Sequence, residues 1–176
     1  MAGRPRERKL EKRPFHIVCV CDHGWESSPK LAARVAEALS GKRADFSAGK
    51  PSAQDFHTAK GHIPFRISTR GVGGIPPGIV DWALSFRHAS PEEMASFLGR
   101  VLDSRDLEGT DLLLSMTPRL PVHESATFEG VPGHLREQLR RLKDQGRLLE
   151  GKEFRGLPKD EVRRRLLEIM ERLRPS

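Results

Sequence analysis

Short apolar runs and helical periodicities alternate along this chain. Residues 15–20 form a β-branched apolar run, typical of a strand buried on both faces, and apolar side chains then recur at helical spacing up to Gly41. The same patterns predict further strands over residues 65–69 and 111–116, and further helices over residues 79–86, 90–102, 135–142 and 159–174. This alternation is typical of the α/β class, and we expect an open parallel sheet of about four strands with helices on both faces.

Two segments interrupt the alternation. Residues 1–13 hold six basic and two acidic side chains, a net +4, and we expect a basic disordered arm in front of a single domain over residues 14–176. Residues 42–64 are mostly polar with poor periodicity, and we interpret them as an insertion in which residues 43–47 could form a short strand.

Composition and length narrow the function classes. The chain of 176 residues suits one domain, and no apolar run approaches the roughly 20 residues that cross a bilayer. Cys19 and Cys21 are too close in sequence for an unstrained disulfide along an extended backbone, so we expect reduced thiols, a cytoplasmic location and no membrane partner. We predict no cofactor. The arm carries +4 of the net charge of +7, which keeps nucleic acid binding as a less favoured hypothesis.

Cys21 follows the first predicted strand, at the sheet edge where ligands of such folds bind. We interpret Ser28 and Pro29 as the N-cap and first residue of the next helix. Backbone N–H groups at this turn, together with the helix dipole, suit an oxyanion and favour a thiolate, so Cys21 is the candidate nucleophile and Cys19 is expected to pack as a small hydrophobe. The candidate oxyanion-binding residues of this loop are Asp22, His23, Gly24, Trp25, Glu26, Ser27 and Ser28.

Residues 18–29, VCVCDHGWESSP, resemble the phosphate loop of the low-molecular-weight protein tyrosine phosphatases, in which Cys is followed by five residues, Arg, Ser or Thr, and Pro. Residues 110–116, TDLLLSM, resemble that family's strand ending in Met, and its Ser-Ala-Gly turn resembles residues 69–71 or, with poorer spacing, residues 47–49. The resemblance covers roughly residues 15–116. It implies a phosphatase-like fold, a cysteine nucleophile, and phosphate, another oxyanion or a phosphoprotein as the partner.

The sequence departs from that family at two catalytic positions. Ser27 stands where the family has its phosphate-gripping Arg, and Glu26 adds a negative charge to the same loop. Leu157-Pro158 stands where the family has the Asp-Pro of its general acid, and we interpret the nearby Asp160 as a partner of the helix dipole. The resemblance therefore implies a degenerate phosphatase that binds an anionic or phosphorylated group with little or no turnover.

Several alternatives remain open. Arg70 and Arg119 follow the second and third predicted strands, and either one in place of the missing Arg would allow an active cysteine-dependent phosphatase or an arsenate-reductase-like enzyme. The spacing Cys21, two residues, Gly24, two residues, Ser27 also resembles the phosphocysteine loop of the B component of sugar phosphotransferase systems. A metal site at Cys19, Cys21 and His23, and a purely structural role for Cys21, are further hypotheses.

Overall fold

The computed structural model describes residues 13–24, 26–47, 49–72, 101–118, 120 and 131–174. The strands are β1 (Phe15–Cys21), β2 (Ala53–His57), β3 (Pro64–Gly71), β4 (Leu112–Ser115) and β5 (Leu148–Glu150). The helices are α1 (Ser27–Ser40), α2 (Ser104–Gly109), α3 (Gly133–Asp144), α4 (Lys152–Arg155) and α5 (Lys159–Leu173). Most of residues 1–13, the helix predicted over residues 79–86, nearly all of that over residues 90–102, Trp25 and Arg119 lie outside the described part of the chain.

The first strand of the chain lies at the centre of the sheet. In the described residues, five strands pair in the order β2-β3-β1-β4-β5. β1 is parallel to both of its neighbours, and β5 is parallel to β4, whereas β2 runs antiparallel along the outer edge of β3. The predicted α/β class and open sheet are thus confirmed, although the sheet has five strands rather than about four and one of them is antiparallel.

Each face of the sheet has its own apolar core. Side chains alternate along β1, so Ile17 and Cys19 pack with helices α1 and α5 on one face, while Val18 and Val20 pack with α2 and α3 on the other. All four side chains are completely buried. Burial of both faces is the reason that β1 and β4 are mostly apolar and do not alternate between apolar and polar residues.

Several local predictions are confirmed and others are wrong. The strands predicted over residues 15–20, 65–69 and 111–116 are present, and Gly41 ends α1 in the left-handed conformation, with φ of 72°. Residues 43–47 form no strand, and the segment interpreted as an insertion instead supplies β2. The predicted helix over residues 90–102 does not reach its last residues, because Val101 forms a parallel bridge with Gly71.

Helix α1 begins at Ser27, two residues earlier than predicted. Glu26 occupies the N-cap position, and its side chain makes no capping hydrogen bond. The interpretation of Ser28 as the N-cap is therefore wrong; this serine lies within the first turn, where its hydroxyl is turned towards the end of β1. The last predicted helix is confirmed as α5, and the one over residues 135–142 as α3.

A buried carboxylate joins the first and last described residues of the chain at the amino end of the sheet. Asp111 is 2% exposed, and its oxygens form ion pairs with Arg13 at 3.2 Å, with Arg147 at 3.5 Å and with Arg174. The backbone N–H of His16 also donates to this carboxylate, at 2.9 Å. The cluster attaches β1 to the end of α5.

Within the described residues, no helix combines the length and apolar character required to span a bilayer.

Candidate functional site

Cys21 is the last residue of the central strand. It lies beside Gly71 of β3, and its carbonyl oxygen accepts a hydrogen bond from Val72 N–H at 3.1 Å. On the other side of the strand, Met116 N–H donates to the Val20 carbonyl at 2.7 Å. Because β1 is flanked by parallel strands that follow it in the chain on opposite sides, its carboxyl end is the crevice at which α/β sheets commonly bind ligands.

Two glycines allow the loop after Cys21 to fold against the end of β3. Gly24 has a φ of +76°, and a Cβ atom there would lie 2.8 Å from Gly71 N and 2.9 Å from the Arg70 carbonyl carbon. A Cβ atom on Gly71 would lie 2.2 Å from the carbonyl carbon of His23. Real Cβ atoms do not approach backbone atoms this closely, so both positions require glycine and each glycine makes room for the other.

The turn directs hydrogen bonds at the Cys21 sulfur. The N–H of Gly24 donates to Sγ at 3.1 Å, and the Ser28 Oγ lies 3.1 Å from the same atom. Burial by itself raises the pKa of the Cys21 thiol, but hydrogen bonds outweigh burial and hold the pKa below its ordinary value. The donors are the Ser28 hydroxyl and the backbone N–H groups of Ser28, Gly24 and His23. These donors, all of them uncharged, shift the equilibrium of Cys21 towards the thiolate.

The second cysteine is chemically different from the first. Cys19 is completely buried within β1, and burial, followed by the nearby Cys21 charge, raises the pKa of its thiol far above the ordinary value. The prediction that Cys19 packs as a small hydrophobe agrees with its place in the apolar core on the α1 face. Two thiols separated by one residue thus have opposite pKa shifts, because only Cys21 is close to hydrogen-bond donors of the turn.

Ser28 links the thiol to the neighbouring strand. Its side chain is completely buried, and its hydroxyl also lies 3.5 Å from the Arg70 carbonyl oxygen, to which it can donate. A serine hydroxyl has one proton, so it donates either to that carbonyl or to the sulfur of Cys21. When Cys21 is a thiol, its S–H can donate to Ser28; when it is a thiolate, the hydroxyl proton turns to the sulfur.

The acidic side chains of the loop have separate partners. Asp22 accepts a hydrogen bond from the Thr117 hydroxyl, at the carboxyl end of β4. Glu26 is 85% exposed on its side chain, and its carboxylate lies 4.0 Å from Lys30 one turn along α1. Ser27, at the position where the resembling family has an arginine, is half-buried. Thr117 was not among the residues predicted for the site, because only the pairing of β1 with β4 brings it to Asp22.

The guanidinium group of Arg70 is directed away from the thiol. Its Nε lies 3.0 Å from Asp106, and its Nη1 donates to Ser52 Oγ at 3.1 Å and to the Thr69 carbonyl at 2.8 Å. Side chains alternate along β3, and Arg70 has the parity of Val72, which packs on the α2 face, whereas the thiols face α1. Arg70 therefore contributes its backbone to the loop, while its charge is neutralised by Asp106.

The other candidate residues are distributed as follows. Asp160, in the first turn of α5, has a side chain that is 93% exposed and lies 3.6 Å from Arg163, in agreement with its interpretation as a dipole partner. The carbonyl oxygen of Leu157 accepts a hydrogen bond from Arg34. His23 is half-buried in the loop, and Arg119 and Trp25 lie outside the described residues.

In the part of the chain that is described, no three side chains of the histidine, cysteine, aspartate and glutamate types are grouped to hold a metal ion. The structure does bring together a buried thiol, a turn with N–H groups directed inward and a buried serine hydroxyl.

Comparisons of this chain with family models, with curated proteins and with solved structures found no match.

Proposed function

We propose that this protein binds a tetrahedral oxyanion, such as the phosphate of a phosphorylated molecule, at the loop of residues 21–28, with Cys21 as a thiolate at its base. The observation that carries the proposal is the pair of contacts at 3.1 Å from the Cys21 sulfur to Gly24 N–H and to Ser28 Oγ. A turn that stabilises one anion with neutral donors is also suited to a bound oxyanion, because backbone N–H groups at a helix N-terminus attract negative charge.

The resemblance to the low-molecular-weight protein tyrosine phosphatases supports the same proposal. The spacing from Cys21 to Ser28 and Pro29 is that of the phosphate loop, and the contact of Ser28 with the sulfur explains why a hydroxyl residue is useful at that spacing. The order of the parallel strands, with β1 between β3 and β4, also puts the loop at the usual ligand crevice.

The charges near the loop argue against rapid phosphate-ester hydrolysis. Asp22 and Glu26 are acidic, and Ser27 replaces the arginine whose bidentate fork would neutralise the phosphoryl oxygens. The guanidinium of Arg70 is paired with Asp106, so it offers the loop no free charge. We therefore propose a phosphatase-like binding protein with little or no turnover.

Protection of the thiol tests this function. The rate of Cys21 alkylation by iodoacetamide, followed by mass spectrometry across a pH series, gives the pKa of the thiol, which should lie below its ordinary value. Inorganic phosphate should slow the reaction in a saturable manner, while sodium chloride of equal ionic strength should not. An ordinary pKa combined with no phosphate protection would overturn the proposal.

The lowered pKa of Cys21 favours a second candidate function, an active cysteine-dependent phosphatase. Hydrolysis of p-nitrophenyl phosphate separates the two candidates. Turnover that disappears in Cys21→Ser would support the enzyme, whereas phosphate protection without turnover would support the binding protein. Turnover that persists in Cys21→Ser comes from a contaminant or another site and supports neither candidate.

A further inference from the structure

A cleft of about 340 Å³ opens beside the Cys21 loop, between α1 and α4. Its lining residues are Glu26, Ser27, Lys30, Leu31, Arg34 and Arg155. Ser27 is adjacent in sequence to Ser28, which contacts the Cys21 sulfur, so the cleft begins one residue from the proposed oxyanion site. Its volume falls at the lower end of the range of small-ligand sites and would hold one further functional group of a ligand.

The cleft has an excess of positive charge. Arg34 donates hydrogen bonds to the carbonyl oxygens of Phe154 and Leu157, which orient the guanidinium without neutralising it. Arg155 is exposed, and in the described residues neither it nor Arg34 has a carboxylate within ion-pair distance. Lys30 has one acidic neighbour, Glu26, at 4.0 Å. Three cations thus face one carboxylate.

This surplus of positive charge lies next to the Cys21 loop, which has no arginine of its own. A ligand with its first oxyanion near Cys21 meets Asp22 and Glu26 but no arginine within the loop, since position 27 is serine. Cations in the adjacent cleft would lower the electrostatic energy of such a ligand most if it carried a second negative group in that direction. The fixed guanidinium of Arg34 also reduces the entropy lost when an anion binds to it.

We propose that the cleft binds a second anionic group, a carboxylate or a phosphate, of the ligand whose first oxyanion occupies the Cys21 loop. This inference rests on the proposed function and specifies its ligand class as phosphorylated molecules with a further negative charge. Glu26 acts in the opposite direction, because its carboxylate competes with the ligand for Lys30 and repels the incoming anion.

Matched ligand pairs test the inference. Phosphorylated hydroxy acids with one to three methylene groups between phosphate and carboxylate are titrated by isothermal calorimetry against the alkyl phosphates of equal length. Each pair differs only in the carboxylate, so contacts at the Cys21 loop cancel. At one length or more, the carboxylate should tighten binding by about tenfold, as a charge-assisted hydrogen bond does in a partly exposed site.

Substitutions in the cleft show which side chains cause the tighter binding of the carboxylate ligands. Lys30→Gln and Arg155→Gln should each reduce the advantage of the carboxylate severalfold, and Glu26→Gln should strengthen binding of the carboxylate ligand. Arg140→Gln is the matched control, because it removes the same charge from an exposed position on α3 and should leave the advantage unchanged. Arg34 is not substituted, since its hydrogen bonds also hold α4 and the segment that follows it.

A second arm of the experiment, with phosphopeptides, tests whether the second anionic group belongs to a small molecule or to a peptide. A phosphotyrosine peptide with flanking glutamates is compared with the same peptide carrying alanines, again in wild type, Lys30→Gln and Arg155→Gln. Dependence on these cations in either arm supports the cleft, and the arm in which it occurs identifies a small molecule or a peptide as the ligand.

Two different failures can be told apart. If alkyl phosphates protect Cys21 but neither arm depends on Lys30 or Arg155, the inference is overturned while the proposed function stands. If alkyl phosphates do not protect Cys21 at all, both the proposed function and the inference are wrong.

Discussion

The two ends of the central strand stabilise a negative charge in different ways. At the amino end, Asp111 is buried among three guanidinium groups, from Arg13, Arg147 and Arg174. At the carboxyl end, the described donors to the Cys21 sulfur include Gly24 N–H and Ser28 Oγ, which are both neutral. Three cations neutralise the Asp111 charge, whereas the described donors at Cys21 carry no charge, and this is why we assign structure to one end and ligand binding to the other.

The difference also concerns which parts of the chain each end connects. The Asp111 cluster joins residues at the beginning and end of the described chain, so it closes the fold. The Cys21 turn instead packs two short backbone segments, at Gly24 and Gly71, against each other. Each end can therefore be disrupted separately, and the expected effects differ in kind.

The largest effect is expected for Asp111→Ala. Removing the carboxylate leaves three arginines without their shared partner and the His16 N–H without its acceptor, and we expect the free energy of unfolding to fall by about 3 kcal/mol, the order found for broken buried ion pairs. Urea denaturation measures this loss. Asp55→Ala, which breaks the exposed pair with Arg66, is the control and should cost less than about 1 kcal/mol. Equal losses in the two variants would show that the Asp111 cluster does not stabilise the fold.

Gly71→Ala disrupts the carboxyl end. The new Cβ atom would overlap the His23 backbone, and we expect a loss of about 2 kcal/mol together with a rise in the pKa of Cys21, since the loop must move away from β3. Urea denaturation and the pH dependence of alkylation measure the two effects. Gly133→Ala is the matched control, because a Cβ atom there meets no atom within 4 Å. An unchanged Cys21 pKa in Gly71→Ala would contradict the described packing.

Lowering the pH should reduce the free energy of unfolding through His16, at the amino end of β1. Burial, with smaller contributions from Arg66 and Arg70, lowers the pKa of His16, against the opposing hydrogen bond to the Gly109 carbonyl. Between the lowered pKa of the folded state and about pH 6.5, the unfolded chain therefore binds a proton that the folded chain does not, so stability rises with pH through this window, by at most about 1.4 kcal/mol per pH unit.

Urea denaturation between pH 5 and pH 7.5 measures this slope. His16→Asn should reduce it, while His57→Asn, at an exposed position of β2, should not. A slope that is the same in wild type and His16→Asn would show that His16 is not the group responsible.

The smallest effect on stability is expected for Ser28→Ala, but its effect on the thiol is specific. Loss of the hydroxyl removes one donor from the Cys21 sulfur, so the pKa of the thiol should rise and alkylation at neutral pH should slow. Ser40→Ala is the matched control, since that hydroxyl of the same helix donates to the Ala36 carbonyl. If both variants alkylate like wild type, Ser28 does not stabilise the thiolate.

Much of the candidate site could be predicted because its elements are local. An apolar run of six residues and the glycine-containing turn after it place Cys21 at a strand end, and Ser28 follows at a fixed distance along the chain. The strand β5 was not predicted, because it has only three residues and two leucines carry its apolar character. The strand β2 was missed because it is an edge strand with exposed and half-buried positions, which resembles a polar loop in sequence.

The orientation of Arg70 could not be predicted for a different reason. Its place after the second predicted strand is a property of the sequence, but the face on which its guanidinium lies depends on the register of β3 with β1 and on the position of Asp106. A shift of one residue in register would turn this side chain to the opposite face. The cationic cleft likewise depends on the packing of α1 against α4, which are distant in the chain.

The amino-acid sequence by itself determined the alternation of strands and helices, the end of α1 at Gly41 and the placement of a thiol between a strand and a helix, because each of these depends on residues within a few positions of one another. Only the tertiary structure decided that Gly71 accommodates the turn at Gly24, that Asp106 neutralises Arg70 and that Asp111 forms ion pairs with three arginines. These contacts join residues far apart in the chain, and their free energy exists only once the sheet register and the helix packing bring the partners together.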